Sequence, residues 1–131
     1  MGILSSQVTQ GVKIIVESFF QLEYSDPSTN KYVYTYHVSI ENNSPYSIQL
    51  LKRHWKIFDS NGELREVEGE GVIGVQPIIE PGDTHQYQSW SQLKTDIGQM
   101  HGTYLMQRVS DSFLFPVEIP HFQLVTPERL N

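Results

Sequence analysis

The sequence predicts an all-β chain, an antiparallel sandwich of about seven to nine short strands. Apolar residues recur at every second position through successive segments, and Gly, Pro, Asn and Asp gather between those segments. No window carries the apolar spacing of an amphipathic helix. At 131 residues the chain is expected to form one domain, with a core from about residue 12 to residue 125 and its first ten and last five or so residues loose.

From Val12 to Tyr24 the even positions Val12, Ile14, Val16, Phe20, Leu22 and Tyr24 are apolar, against Lys13, Glu17, Gln21 and Glu23 on the odd side. That is the period of a half-buried strand. Ser25-Asp26-Pro27-Ser28-Thr29-Asn30 turns the chain, because proline presets φ and Asp and Asn bond to their own backbone. Lys31 to Asn42 alternates again, with Tyr32, Tyr34, Tyr36, Val38 and Ile40 on one face. In line with Val38 and Ile40, the tyrosines read as core, not as a platform for stacked bases.

Between Tyr46 and Asp59 the apolar register slips, from Ile48 and Leu50 to Leu51, Arg53, Trp55 and Ile57. A β-bulge near Leu50-Leu51 produces such a slip and turns Trp55 inward. Asn61-Gly62 signals a two-residue hairpin, and Glu63 to Glu68 forms the returning strand. Pro81-Gly82 makes a turn with Gly82 at positive φ, followed by strands over Thr84 to Trp90 and Gln99 to Arg108. Met100, Gly102, Tyr104 and Met106 share one side of the latter. Phe113, Phe115, Val117 and Ile119 form the last inward row, Pro120 breaks it, and Phe122 and Leu124 resume with opposite parity. A buried Trp on an early central strand favours the immunoglobulin or fibronectin III kind of sandwich, with Trp55 facing Tyr104 across the two sheets.

Composition narrows the chemistry. The chain has no cysteine, which excludes a disulfide scaffold, a thiolate zinc site and a cysteine nucleophile, and makes a reducing cytoplasm the simplest home. Apolar runs fall short of the about 20 residues of a membrane span, so no membrane role is expected. Met1-Gly2-Ile3-Leu4-Ser5-Ser6 has no basic leader; it matches the myristoylation pattern, with Gly2 and Ser6 in place, but so short a pattern recurs by chance. Nine basic against fifteen acidic residues, a net charge of −6, argue against a nucleic-acid binder.

Gly69-Glu70-Gly71-Val72-Ile73-Gly74 satisfies the G-x-G-x-x-G pattern of a pyrophosphate cradle. That cradle needs a helix next. Here Pro77 and Pro81 follow, and Glu66, Glu68 and Glu70 would repel a phosphate, so a glycine-rich bend in the sheet is the competing reading. Six acids, Glu63, Glu66, Glu68, Glu70, Glu80 and Asp83, surround the loop with Arg65 among them. They offer weak affinity for a hard divalent cation or attraction for a basic partner, while alternation places Glu66, Glu68 and Glu70 on a solvated edge. His37, His54 and His101 fall on outward positions. If their strands are neighbours, His54 and His101 approach each other, and with Glu66 they are the candidate metal ligands. No Ser/His/Asp elbow and no H-E-x-x-H occurs.

Four motifs together resemble the ApaG family. They are Arg53-His54-Trp55-Lys56-Ile57-Phe58-Asp59 with Gly62, Glu66 through Pro77 with Pro81-Gly82, Gly98-Gln99-Met100-His101-Gly102-Thr103-Tyr104, and Phe115 to Phe122 around Ile119-Pro120. The resemblance runs from about Val12 to Leu124 and implies a fibronectin III-like sandwich. It further implies an association with cobalt resistance and magnesium efflux, no established enzymatic reaction, and reuse as an interaction module beside F-box and polymerase-binding segments. The family's glycine motif has been compared with pyrophosphate loops. Trp90 stands where the family leads one to expect a small residue.

The resulting expectation is a non-enzymatic cytoplasmic domain without cofactor that binds a protein partner. Its binding loop is Glu68, Gly69, Glu70, Gly71, Gly74 and Gln76. Direct binding of a divalent cation or a nucleotide by that loop is the alternative, and a homodimer is left open.

Overall fold

The computed structural model describes residues 2–130. Among the described residues nine strands follow one another: β1 (Ile3–Thr9), β2 (Val12–Phe20), β3 (Tyr32–Asn42), β4 (Ile48–Asp59), β5 (Leu64–Glu70), β6 (Ile78–Ile79), β7 (Thr84–Leu93), β8 (Ile97–Arg108) and β9 (Leu114–Val125). A short helix, α1 (Pro127–Leu130), ends the described chain. The strands form two antiparallel sheets, one in the order β1-β2-β3-β7 and the other β5-β4-β8-β9, with β6 also paired to β4.

Alternation becomes packing between these sheets. Val12, Ile14 and Val16 of β2 and Tyr34, Tyr36, Val38 and Ile40 of β3 meet Leu50, Trp55, Tyr104, Val117 and Phe122 from the facing sheet, all buried. Trp55, only 3% exposed, makes edge contacts with Tyr36 at 5.4 Å, Phe122 at 5.9 Å and Tyr104 at 6.3 Å between ring centroids. Such tilted aromatic contacts add to the burial term.

The Leu50-Leu51 slip is a bulge: the pairing of β4 with β8 shifts between Leu50 and Lys52. A second shift, between Met100 and Gly102 against β9, accounts for the parity change at Phe122 and Leu124.

Four expectations need correction. Trp55 and Tyr104 do not face each other across the sheets; β4 and β8 are adjacent, and Tyr36 is the aromatic partner of Trp55 from the other sheet. Parity assigns a side chain to a face and leaves the neighbour open. The first ten residues are not loose, because β1 pairs with β2 from Ile3↔Ser18 to Thr9↔Val12. Their alternation is hidden by Ser5, Ser6 and Gln7 on a largely exposed edge. The strand from Val12 stops at Phe20, and Leu22–Tyr24 is a 3₁₀ turn whose apolar side chains are exposed. Finally, of Asn61 and Gly62 only Gly62 has positive φ, 96°, and Asp59 N–H donates to the Glu63 carbonyl at 2.9 Å across a three-residue loop.

The two sides of the sandwich differ. On one side β1 and β2 close onto β9, with Ser18 Oγ donating to the Gln123 carbonyl at 2.8 Å and Glu118 N–H donating to Thr9 Oγ1 at 3.1 Å. On the other side the edge strands β7 and β5 stand apart, leaving a cleft.

Candidate binding cleft at the open edge of the sandwich

The glycine motif forms the lip of this cleft. Val72 N–H donates to the Val75 carbonyl at 2.8 Å and Val75 N–H returns the bond at 3.1 Å, which closes a two-residue hairpin. Its central residues Ile73 and Gly74 have φ of 46° and 77°, the pair of positive values that a type I′ turn demands. Asparagine is the usual first residue of such a turn. Ile73 is β-branched, so its left-handed backbone is strained, yet its side chain is 62% exposed.

Gly71 sits at φ 62°, and a Cβ there would meet the Val75 carbonyl oxygen, so its glycine is a requirement of the hairpin. Gly71 N–H is committed to the Leu51 carbonyl at 2.8 Å. The carbonyls of Glu70 and Gly71 both accept from Arg53 Nη1 at 3.0 Å, and that guanidinium lies flat against Gly69. Gln76 Nε2 donates to the Leu51 carbonyl at 2.9 Å and ties the far side of the loop down. No helix follows, and the N–H groups of Gly71 and Val72 serve pairing within the fold.

Behind the lip lies a cavity of about 620 Å³. Tyr36 and Trp55 form its floor, and Arg53, Val67 and the inward row of β7 form its walls. Burial holds the Tyr36, Tyr87 and Tyr104 phenols above their usual value, so these hydroxyls stay neutral, and those of Tyr87 and Tyr104 bond to each other. Ser91, 6% exposed, presents a buried hydroxyl with no hydrogen-bond partner among the described residues.

One end of the cleft is tied. Arg65 Nη2 of β5 donates to the Gln92 carbonyl of β7 at 2.5 Å, and Lys94 Nζ meets Glu63 Oε1 at 3.0 Å. The Asp59 carboxylate is occupied by Lys94 N–H at 2.7 Å and by the Thr95 hydroxyl. Trp90, 63% exposed, stands at the rim on the outer face of β7.

The acidic stripe faces the other way. Glu66, Glu68 and Glu70 are exposed on the outer face of β5, opposite Lys56, His54 and Lys52 of β4, so each acid has a basic or titratable neighbour across the strands. His54 Nε2 lies 3.3 Å from Glu66 Oε1 and 3.6 Å from Glu68 Oε1. His101 does not join it. Instead His101 stacks on His121 at 4.0 Å and on Phe58 at 5.6 Å between ring centroids. Burial first, then the charges of His121 and Lys56, hold the His101 imidazole below its usual value. Among the described residues no group of three or more His, Asp or Glu side chains has the arrangement of a metal site.

Of the residues expected to bind, Gly69, Gly71, Gly74 and Gln76 therefore build the lip, while Glu68 and Glu70 lie on the outer face. Arg53, Ser91 and His121 escape the sequence reading as site residues. Ser89 and Ser91 share parity with Tyr87 and Leu93, and two serines at inward positions were the available signal.

The model of the ApaG domain family matches residues 22–108. The chain belongs to the ApaG family. A protein ApaG from Brucella canis is 45% identical over 124 residues, covering 95% of both chains. One from Brucella anthropi is 47% identical over 122 residues, 93% of both. The crystal structure of an ApaA protein from Bordetella pertussis superposes with a TM-score of 0.86 at 39% identity, covering 88% of this chain and 94% of that one. These matches cover nearly the whole of this chain. Among the described residues, no helix is long and apolar enough to cross a membrane.

Proposed function

We propose that this member of the ApaG family is a non-enzymatic binding domain that engages a protein partner at the lip and mouth of the inter-sheet cleft. The divalent-cation handling associated with the family is the process it would serve. The observation that carries this reading is Ile73: an exposed, β-branched side chain kept at a strained turn position where asparagine would cost less. Strain held at an exposed apolar tip points to use of that tip. Val67, Ile73 and Trp90 are all exposed around one cavity, which favours contact with another chain.

Site-specific photo-crosslinking in cells tests the proposal. A benzophenone amino acid at position 73 or 90 should give an adduct with one and the same protein, while position 8 on β1, equally exposed, should give none. Adducts from position 8 alone, or no adduct from 73 and 90, would count against the cleft.

A second reading has one observation in its favour. His54 Nε2 lies 3.3 Å from Glu66 Oε1 and 3.6 Å from Glu68 Oε1 on the outer face; the three groups do not have the arrangement of a formed metal site, so a divalent cation would bind there only weakly and by displacing these contacts. Calorimetry with cobalt and magnesium salts should then show saturable heat that is lost in His54→Ala. Heat unchanged by that substitution removes the reading.

A further inference from the structure

We infer that the cleft takes an extended, acidic segment of the partner, added as a strand along the free edge of β7 with a carboxylate side chain reaching Arg53 and Ser91. This rests on the partner-binding reading above and adds the chemistry of what is bound.

Three independent features converge on it. The first is Ser91, which lines the cavity and whose buried hydroxyl has no hydrogen-bond partner among the described residues. A buried unpaired hydroxyl is costly and calls for an explanation, and a ligand group that reaches it supplies one. The second is Arg53. Its Nη1 is committed to the Glu70 and Gly71 carbonyls, but among the described residues Nε and Nη2 have no acceptor and no carboxylate lies within ion-pair distance. A guanidinium on the inner face of a sheet with donors to spare suits a carboxylate.

The third feature is the backbone of β7. In an antiparallel strand the N–H and C=O of one residue point to the same side, and the sides alternate. The Gln92 carbonyl accepts from Arg65 across the cleft, so it points away from β3. By alternation Gln88 and Trp90 present their N–H and C=O groups along the same open edge. A strand paired there would direct every second side chain into the cavity and the intervening ones past exposed Trp90.

Charge selects the sequence of that strand. The cleft contains Arg53, Arg65 and Lys94 against Asp59 and Glu63; the Lys94 ammonium pairs with Glu63, and the Asp59 carboxylate accepts from the Lys94 backbone N–H and the Thr95 hydroxyl. Three bases against two acids leave the cleft one positive charge in a chain of net charge −6, and Arg53 is the base with donors to spare. A small organic anion would use Arg53 and Ser91 but leave the β7 edge unpaired, so a peptide uses more of what is presented.

The test is selection of random nonapeptides displayed on phage against the full chain, followed by fluorescence anisotropy with the enriched peptides. Enriched sequences should share one Asp or Glu position. Replacing that acid by its amide should weaken binding about tenfold, the size expected for one charge-assisted pair. Arg53→Gln should do the same, and both changes together should be little worse than either alone.

Arg53→Gln also loosens the hairpin, so Ser91→Ala serves as the second variant. It keeps the fold and should still lower affinity by about threefold or more. Enriched peptides without an acidic position overturn the inference. So does an acidic peptide whose affinity is unchanged in Ser91→Ala and in a folded Arg53→Gln. ATP binding that is lost in both variants, with no peptide enriched, replaces the peptide by a small anion. If crosslinks from positions 73 and 90 persist while the selected peptides are apolar or basic, only the acidic-strand inference fails. Loss of those crosslinks removes the partner reading itself.

Discussion

Replacing Ile73 by asparagine should make the protein more stable while impairing the surface it belongs to. Two opposing terms set the magnitude. A β-branched residue held at φ 46° carries a strain of about 1–3 kcal/mol, most of which asparagine relieves, since asparagine is the preferred first residue of a type I′ turn. Against this stands the apolar area that Ile73 buries. Full burial of isoleucine is worth about 1.5–3 kcal/mol. Because the residue is 62% exposed, only about a third of that, some 0.5–1 kcal/mol, is at stake. Strain relief wins, and Ile73→Asn should gain about 1 kcal/mol, or about 3–4 °C in Tm for a chain of this size. Urea denaturation followed by tryptophan fluorescence, with the slope unchanged, measures it. A loss of 1 kcal/mol or more would refute the reasoning, because Ile73 would then be packing against the cleft more firmly than its exposure indicates.

Further outcomes follow from the same geometry. Ser91→Ala removes a buried hydroxyl that has no partner and should raise stability by about 1 kcal/mol; a fall of that size in the same assay would mean that the hydroxyl is already satisfied. Gly71→Ala puts a Cβ against the Val75 carbonyl at left-handed φ and should cost at least about 1–2 kcal/mol, read as a lower urea midpoint. The His101 imidazole titrates below its usual value of 6.5 in the folded chain, so the unfolded chain takes up its proton first. Its contribution is fully present above pH 6.5 and is lost as pH falls from there through the lower folded-state value. Denaturation midpoints measured down that range should drop, and the drop should shrink in His101→Gln.

The sandwich is legible in the sequence because period-two burial leaves its mark wherever one face is dry. Val12 to Val16, Tyr32 to Ile40 and Met100 to Met106 all show it, and the bulge beside Leu50 shows as a slip in that mark. Neighbour relations leave no such mark. That Trp55 and Tyr104 lie in one sheet, or that His101 meets His121, depends on strand order, which hydrophobic patterning does not encode.

Turn chemistry is ambiguous for a different reason. Asn61-Gly62 has the composition of a two-residue turn and adopts a longer one, while Ile73-Gly74 has the wrong first residue and adopts the two-residue form. In the second case pairing of Val72 with Val75 overrides local preference. The acidic cluster around the loop is visible in the sequence, yet Glu66 and Glu68 lie on the outer face, away from the cleft. Arg53 and Ser91 are polar residues at inward positions, and only the open edge between β5 and β7 makes that oddity a candidate site.

Hydrogen–deuterium exchange on the chain, alone and with the protein crosslinked from positions 73 and 90, tests the central claim most directly. The amides of Gln88, Trp90 and Gln92 on the free edge of β7, together with those of the Ile73-Gly74 turn, should exchange quickly in the free chain and become protected in the complex. Protection confined to β1, or to the outer face carrying Glu66 and Glu68, with the β7 edge unchanged, would contradict it.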